Sequence, residues 1–222
     1  MNLAIKSIQT ATLMMLLSYA TATQVVAVAQ KLNRPVTVTQ TVQLKDTLVI
    51  PGERVGLVTR KTTKANLVKL FGQSRLKDET ISGAEGIGKF PVTRVNLGSQ
   101  RSFTVVWNDN TRTKAASVID FGSAWKTPEG IGVRTTFDEL RQKLGEFKLY
   151  GLGWDYSGTV LLETTKLAKY KGKLGLQVDA ARNASQRFPK QYQAVLGDAT
   201  FSSANPNWKP LGMRLVQMNV SL

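Results

Sequence analysis

Apolar residues recur along this chain in two rhythms, every second residue and every third or fourth, and the switches between them mark out the elements. Val36, Val38, Val42 and Leu44 alternate with threonines and glutamines, predicting a half-buried strand over 36–44. Short strands follow at 47–50 and 55–58, separated by the turn Pro51-Gly52. Leu67, Leu70 and Phe71 then fall on one face at i, i+3 and i+4, predicting a helix over 63–71 that Gly72 ends. Period-two patterning returns at 75–82, 92–97, 102–107 and 112–121, with Asn108-Asp109-Asn110 turning between the last two. The three glycines in 83–89 mark a loop. Residues 123–130 read as a linker, with Trp125 inside it and Pro128 opposing regular structure. Phe137, Leu140 and Leu144 form the stripe of a second helix that Gly145 ends. Strands are expected at 147–154, 159–165 and 174–178, with a turn at 155–158. Residues 180–203 give mixed signals: 191–196 fits a helical turn, whereas Phe188-Pro189 and Gly197-Asp198 point to a long excursion. At the C-terminus Leu211, Met213 and Leu215 alternate, then Val216, Met218, Val220 and Leu222 continue one residue out of phase, as a β-bulge produces.

The two helical stretches are copies of one motif. Residues 62–72 and 135–145 align without a gap and share a threonine pair, a central leucine (Leu67 and Leu140), an apolar penultimate residue and a closing glycine. Thr136 and Glu139 form a capping box, in which side chain and backbone satisfy each other's orphan amides. Asn66 stands where the capping glutamate would be, so the first cap is expected to be weaker. A repeated helix followed by strands predicts an α+β fold of two tandem helix-on-antiparallel-sheet units, over 30–122 and 123–222.

The first 29 residues read as an export signal. Lys6 provides the positive start, 11–20 the apolar stretch, and Ala27-Val28-Ala29 the small-x-small cleavage pattern, with Ala20-Thr21-Ala22 as a second candidate. Ser18, Thr21, Thr23 and Gln24 make the run too short for a membrane anchor, and no later segment is expected to span a bilayer. The expected location is periplasmic or extracellular.

Composition then narrows the chemistry. The chain has no cysteine, so its stability has to come from packing and sheet hydrogen bonds. It has no histidine, which excludes Ser-His-Asp and Cys-His nucleophiles and the usual zinc ligands. No cofactor fingerprint or phosphate-binding loop is present, and no cofactor is expected. The net charge of +15 admits attraction to anionic polymers, yet the basic residues are spread along the chain, which favours a solvated basic surface. No specific nucleic-acid partner is expected.

The helix signature Thr-x-x-x-Leu-x-x-x-[Phe/Leu]-Gly, followed by a strand meander, resembles a superfamily of α+β repeats. It includes the secreted β-lactamase inhibitor proteins, with two copies, and the SmpA/OmlA-type outer-membrane assembly lipoproteins, with one. The resemblance implies a non-catalytic protein-binding or scaffold role. The chain departs from the lipoproteins in lacking a lipid-attached cysteine and from the inhibitors in lacking disulfides. The segment from Tyr150 to Gly158 (YGLGWDYSG) also resembles uncharacterised secreted proteins of cyanobacteria and Bacteroidetes.

Two surfaces are candidates for binding. Tyr150, Leu152 and Trp154 would share one face of a strand, with Tyr156 at the turn beyond. Such aromatics anchor a partner or stack on a sugar ring. The competing reading places Trp154 in the core, with Gly151 and Gly153 allowing close packing, and ordinary core composition favours it. Lys166, Lys169, Lys171 and Lys173 form the densest basic run; it would bind anionic groups or simply solvate a hairpin at a sheet edge. The leading expectation is an exported, non-enzymatic binding or scaffold protein whose partner is a protein or an anionic envelope polymer. The alternative is an envelope hydrolase working through carboxylates alone, for which Asp155 and Glu163 are the pair to consider.

Overall fold

The computed structural model describes residues 45–83, 86 and 88–222. The signal segment expected over 1–29 and the strand expected over 36–44 lie outside these residues. The described residues belong to one compact α+β unit.

The chain first builds a three-stranded sheet from β1 (Val49–Ile50), β2 (Arg54–Val55) and β3 (Val58–Thr59). Helix α1 (Lys64–Phe71) follows. An antiparallel meander then runs through β4 (Leu76–Ser82), β5 (Lys89–Val95), β6 (Phe103–Trp107) and β7 (Ala115–Ile119). After helix α2 (Phe137–Leu144) the strands are distributed differently. Strands β8 (Lys148–Tyr150) and β9 (Val160–Leu161) pair in a separate small sheet, whose third strand is β11 (Thr200–Ser202). Strands β10 (Leu174–Asp179) and β12 (Arg214–Ser221) instead extend the meander into a six-stranded sheet of order β10-β12-β7-β6-β5-β4. That sheet crosses the expected unit boundary at 122/123, because β12 pairs with β7 through Val220↔Val118 and Ser221↔Ser117.

Register decides which face each strand residue joins, since directly opposed residues point the same way. Val95↔Phe103, Val105↔Val118, Val118↔Val220 and Leu174↔Val220 line the inner face. Leu67 and Phe71 of α1 and Leu140 and Leu144 of α2 join the same buried cluster. The other face carries Lys77↔Arg94↔Thr104 at one end and Gly175↔Asn219 and Gln177↔Gln217 at the other. The register of β12 slips by one residue between Gln217 and Leu215, at the expected bulge. Val216 is the extra residue and points outward, half exposed, so it does not join Met218 and Val220 inside.

Several expectations need correction. The strand predicted over 147–154 ends at Tyr150, and the one over 159–165 covers only Val160–Leu161. The residues between β9 and β10 form turns and a 3-10 helix over Ala168–Tyr170, so the lysine run is no hairpin. The strand predicted over 112–121 covers Ala115–Ile119. Residues 180–203 hold two short helices, α3 (Ala184–Arg187) and α4 (Pro189–Gln193), and then β11. Pro189 opens α4 instead of breaking a helix, because the first helical position has no amide bond to lose. Residues 123–130 are irregular as expected, yet Trp125 is buried, edge-on to Phe103 at 5.1 Å, with its indole N–H donating to the Arg101 carbonyl (2.9 Å). Finally, the first cap is a complete box: the Thr63 amide donates to Asn66 Oδ1 (2.8 Å) and the Asn66 amide to Thr63 Oγ1 (3.1 Å).

Candidate binding surface

The four tryptophans divide three to one. Trp107, Trp125 and Trp208 are buried, and each indole N–H has a protein acceptor: Thr93 Oγ1, the Arg101 carbonyl and the Ser202 carbonyl, all at 2.9 Å. Trp154 is 66% exposed and Tyr156 67%. Core packing for Trp154 is therefore overturned. Leaving a large apolar side chain in water forgoes roughly 1.5–3 kcal/mol, and two exposed aromatics on one short loop make it a candidate interaction surface.

The loop that carries them is held in shape by its backbone. Strand β8 stops at Tyr150 because Gly151 and Leu152 turn their amides to the Ala199 and Val195 carbonyls (2.9 and 2.8 Å). A Cβ on Gly151 would lie 2.4 Å from the Gly197 carbonyl oxygen, so only glycine allows that approach. The Ser157 amide donates to the Trp154 carbonyl (2.8 Å), closing the turn, and Ser157 Oγ accepts from the Gly153 amide (3.1 Å). The loop is tied off by the Gly158 amide donating to the Gly151 carbonyl (3.2 Å) and the Tyr150 amide to the Thr159 carbonyl (3.0 Å). It is fastened to edge strand β10 by the Val178 amide donating to the Gly158 carbonyl (2.9 Å) and by Gln177 Nε2 donating to the Ser157 carbonyl (2.8 Å). Gly158 has φ +65, and a Cβ there would lie 1.8 Å from the Val178 carbonyl oxygen. The two aromatics are thus pre-positioned at little further entropic cost on binding.

Tyr150 stays half-buried beneath them, its ring 5.6 Å from that of Tyr156. The three aromatics border a cleft of about 160 Å3 whose charged lining is acidic, Asp155 and Asp198. Both carboxylates are exposed to solvent. Glu163 is not at this cleft; it pairs with Lys171 at 3.2 Å. The carboxylate beside Asp155 is therefore Asp198, which the sequence reading missed. It lies 43 residues away, and only the contact of 195–199 with Gly151 and Leu152 brings it near.

The lysines do not form one basic site. All four are exposed. Lys169 pairs with Glu129 (3.5 Å) and lies over the Tyr170 ring (4.8 Å to its centre), while Lys171 pairs with Glu163. Lys173 lies against Gly52 at the start of β10. Lys166 donates its backbone amide to the Leu144 carbonyl (3.0 Å).

A larger cavity of about 450 Å3 opens beside β4–β6 and is lined by Arg75, Lys77 and Arg94. Its cations are largely compensated. Arg94 bonds to Glu79 (2.5 Å) and Asp120 (3.2 Å), Lys77 pairs with Glu79 (2.6 Å), and Arg75 donates to the Phe71 carbonyl (3.1 Å). On the inner side of the same sheet, Asp78 accepts from Thr93 Oγ1 (2.6 Å) and from Lys64 Nζ. Partial burial pushes the Asp78 carboxyl up, but these two bonds together with the positive charges of Lys64 and Arg112 hold it below the usual carboxylate range. Among the described residues no group of histidines, cysteines or carboxylates could hold a metal ion, and no helix is long and apolar enough to cross a membrane. The chain matches no known protein family, no curated protein and no solved structure.

Proposed function

We propose that this is an exported, non-enzymatic binding protein of the bacterial envelope, which engages a protein or an envelope polymer through the aromatic loop. The observation that carries the reading is the exposure of Trp154 and Tyr156 on a backbone closed by hydrogen bonds on both sides. Rigid, solvent-facing aromatics are the side chains that dominate binding energy at interfaces. Export rests on the signal features of residues 1–29.

The test is capture from envelope extract by the immobilised protein, with bound protein and bound carbohydrate both quantified. The Trp154→Ala/Tyr156→Ala variant is expected to fold normally, since both side chains are exposed, and to lose most of the captured material. Equal capture by both forms overturns the reading. Export is checked by intact mass: the envelope form should lack about 29 residues.

One observation favours a second reading, a carboxylate-dependent hydrolase: Asp155 and Asp198 line the same aromatic cleft. Neither is enclosed by the apolar walls that commonly equip a general acid. Substrate turnover that disappears in Asp155→Asn or Asp198→Asn would establish this reading in place of the first.

A further inference from the structure

The open face of the six-stranded sheet changes character from one edge to the other. The β4–β5 end is charged, with Lys77, Glu79 and Arg94. The β10–β12–β7 end carries uncharged side chains along its centre, with half-exposed Val216 among them and the opposed pair Asp179↔Arg214 beyond them at one end. Gln177 opposes Gln217, Gly175 opposes Asn219, and Ser221 opposes Ser117. The chain has a net charge of +15 and one charged residue in five, and none of these six positions is charged.

The patch and the aromatic loop are continuous. Thr159, the residue that closes the loop, bridges antiparallel to Gln177 and so takes the place of a further strand beside β10. Its side chain joins Gln177, Gln217 and Asn219 around a shallow cleft of about 180 Å3 with no charged lining. Gln177 also holds the loop itself, through its bond to the Ser157 carbonyl. From Thr159 across β10 and β12 to β7 the surface is about 14 Å wide, at ~4.8 Å per strand.

We infer that this edge of the sheet and the aromatic loop together form one binding surface for a neutral glycan, with Trp154 and Tyr156 stacking on sugar rings. Gln217, Asn219 and Thr159 would bond the hydroxyls. The chemistry matches at each point. An aromatic ring covers the apolar face of a pyranose. Carboxamides and hydroxyls both donate and accept, as sugar hydroxyls do. Asp155 and Asp198 at the cleft add acceptors and disfavour a polyanion there. Gly175, Gln217 and Asn219 are open to solvent on this face, which gives a chain of rings room to lie across it.

The inference rests on the binding role of the aromatic loop, and its test separates the two. The full-length protein is titrated with a panel of neutral oligosaccharides that includes cellohexaose and N-acetylchitohexaose, with polygalacturonate as the anionic comparison, at low and physiological salt. Binding to a neutral oligosaccharide is expected, with affinity nearly independent of salt because no counterions are released. Trp154→Ala/Tyr156→Ala should weaken it about tenfold or more. Gln217→Ala/Asn219→Ala, at two exposed positions that leave Gln177 and the loop intact, should weaken it severalfold, with an unchanged melting temperature for both variants. No binding across the panel, binding untouched by both variants, or binding to polygalacturonate alone with a steep salt dependence overturns the inference. If the panel fails while the aromatic variant still loses envelope capture, the binding role stands and the glycan falls. If a neutral oligosaccharide binds and is cleaved, the ligand class stands and the non-enzymatic role falls.

Discussion

The two helix motifs are locally the same and are followed by different architecture. In both, the first threonine is buried, donates its amide to the carbonyl of the residue three before it, and accepts that residue's amide on its side-chain Oγ1. Thr62 does so with Thr59 (2.9 Å each way), and Thr135 with Gly132 (3.0 and 3.1 Å). In both, the second threonine caps the helix in a reciprocal box. Each helix then donates its first amide to a carbonyl shortly ahead of a sheet strand: Lys64 to Arg112 before β7 (2.9 Å), and Phe137 to Met213 before β12 (3.1 Å). Because β7 and β12 are neighbours, the two motifs dock beside adjacent strands of one sheet. Downstream they part. The first leads into four consecutive strands of that sheet, the second into a separate small sheet and the aromatic loop. A short motif thus fixes how a helix starts, ends and docks, but not the strand pairing that follows.

The strongest way to break the equivalence is at its centre. Leu67 and Leu140 are both fully buried, so Leu67→Ala and Leu140→Ala should each destabilise by roughly 2–5 kcal/mol in urea unfolding. A loss well below that range at one site alone would show that the two helices do not share one core.

The closing glycines come next. Gly72 and Gly145 have φ +85 and +82, and a Cβ at either would meet nothing within 4 Å. Gly72→Ala and Gly145→Ala should therefore cost only the backbone conformation, about 1–3 kcal/mol each. A much larger loss at either site would reveal a steric conflict where none is expected.

The smallest effect is the sharpest distinction, because the two boxes differ in one titratable group. The backbone and side chain of Thr136 donate to Glu139 and hold its carboxyl below the ordinary value. A lowered folded pKa contributes stability that is present above the unfolded value and is lost as pH falls through the folded one. Glu139→Gln should therefore lose a small stabilisation at neutral pH and flatten the acid limb of the stability profile. Asn66 does not titrate, so Asn66→Ala should lower stability by the same small amount at every pH. Parallel pH profiles for the two variants would refute this assignment.

The helices, the second cap and the bulge at Val216 were legible because each depends on residues within a few positions of one another. Thr-x-x-Glu closes on itself, and Leu215 to Met218 announces a slipped register without reference to any partner. The alternation in 211–222 likewise grouped Met218, Val220 and Leu222, all buried, although it also counted Val216, which the bulge turns outward. The aromatic residues were visible too, but not their exposure. Alternation placed Trp154 on a strand with Tyr150, and Gly151 ended that strand because residues 195–199 offered its backbone other partners. The same long-range contact brought Asp198 to the cleft. The uncharged sheet edge shows in the sequence only as separate glutamines and asparagines on strands roughly 40 residues apart, and it becomes a surface through the pairing of β10 with β12. What the sequence determined by itself is what short-range hydrogen bonds and periodic burial dictate. Which strands pair, and hence which side chains share a face, was decided only by the tertiary structure, where backbone groups choose among partners far apart in the chain.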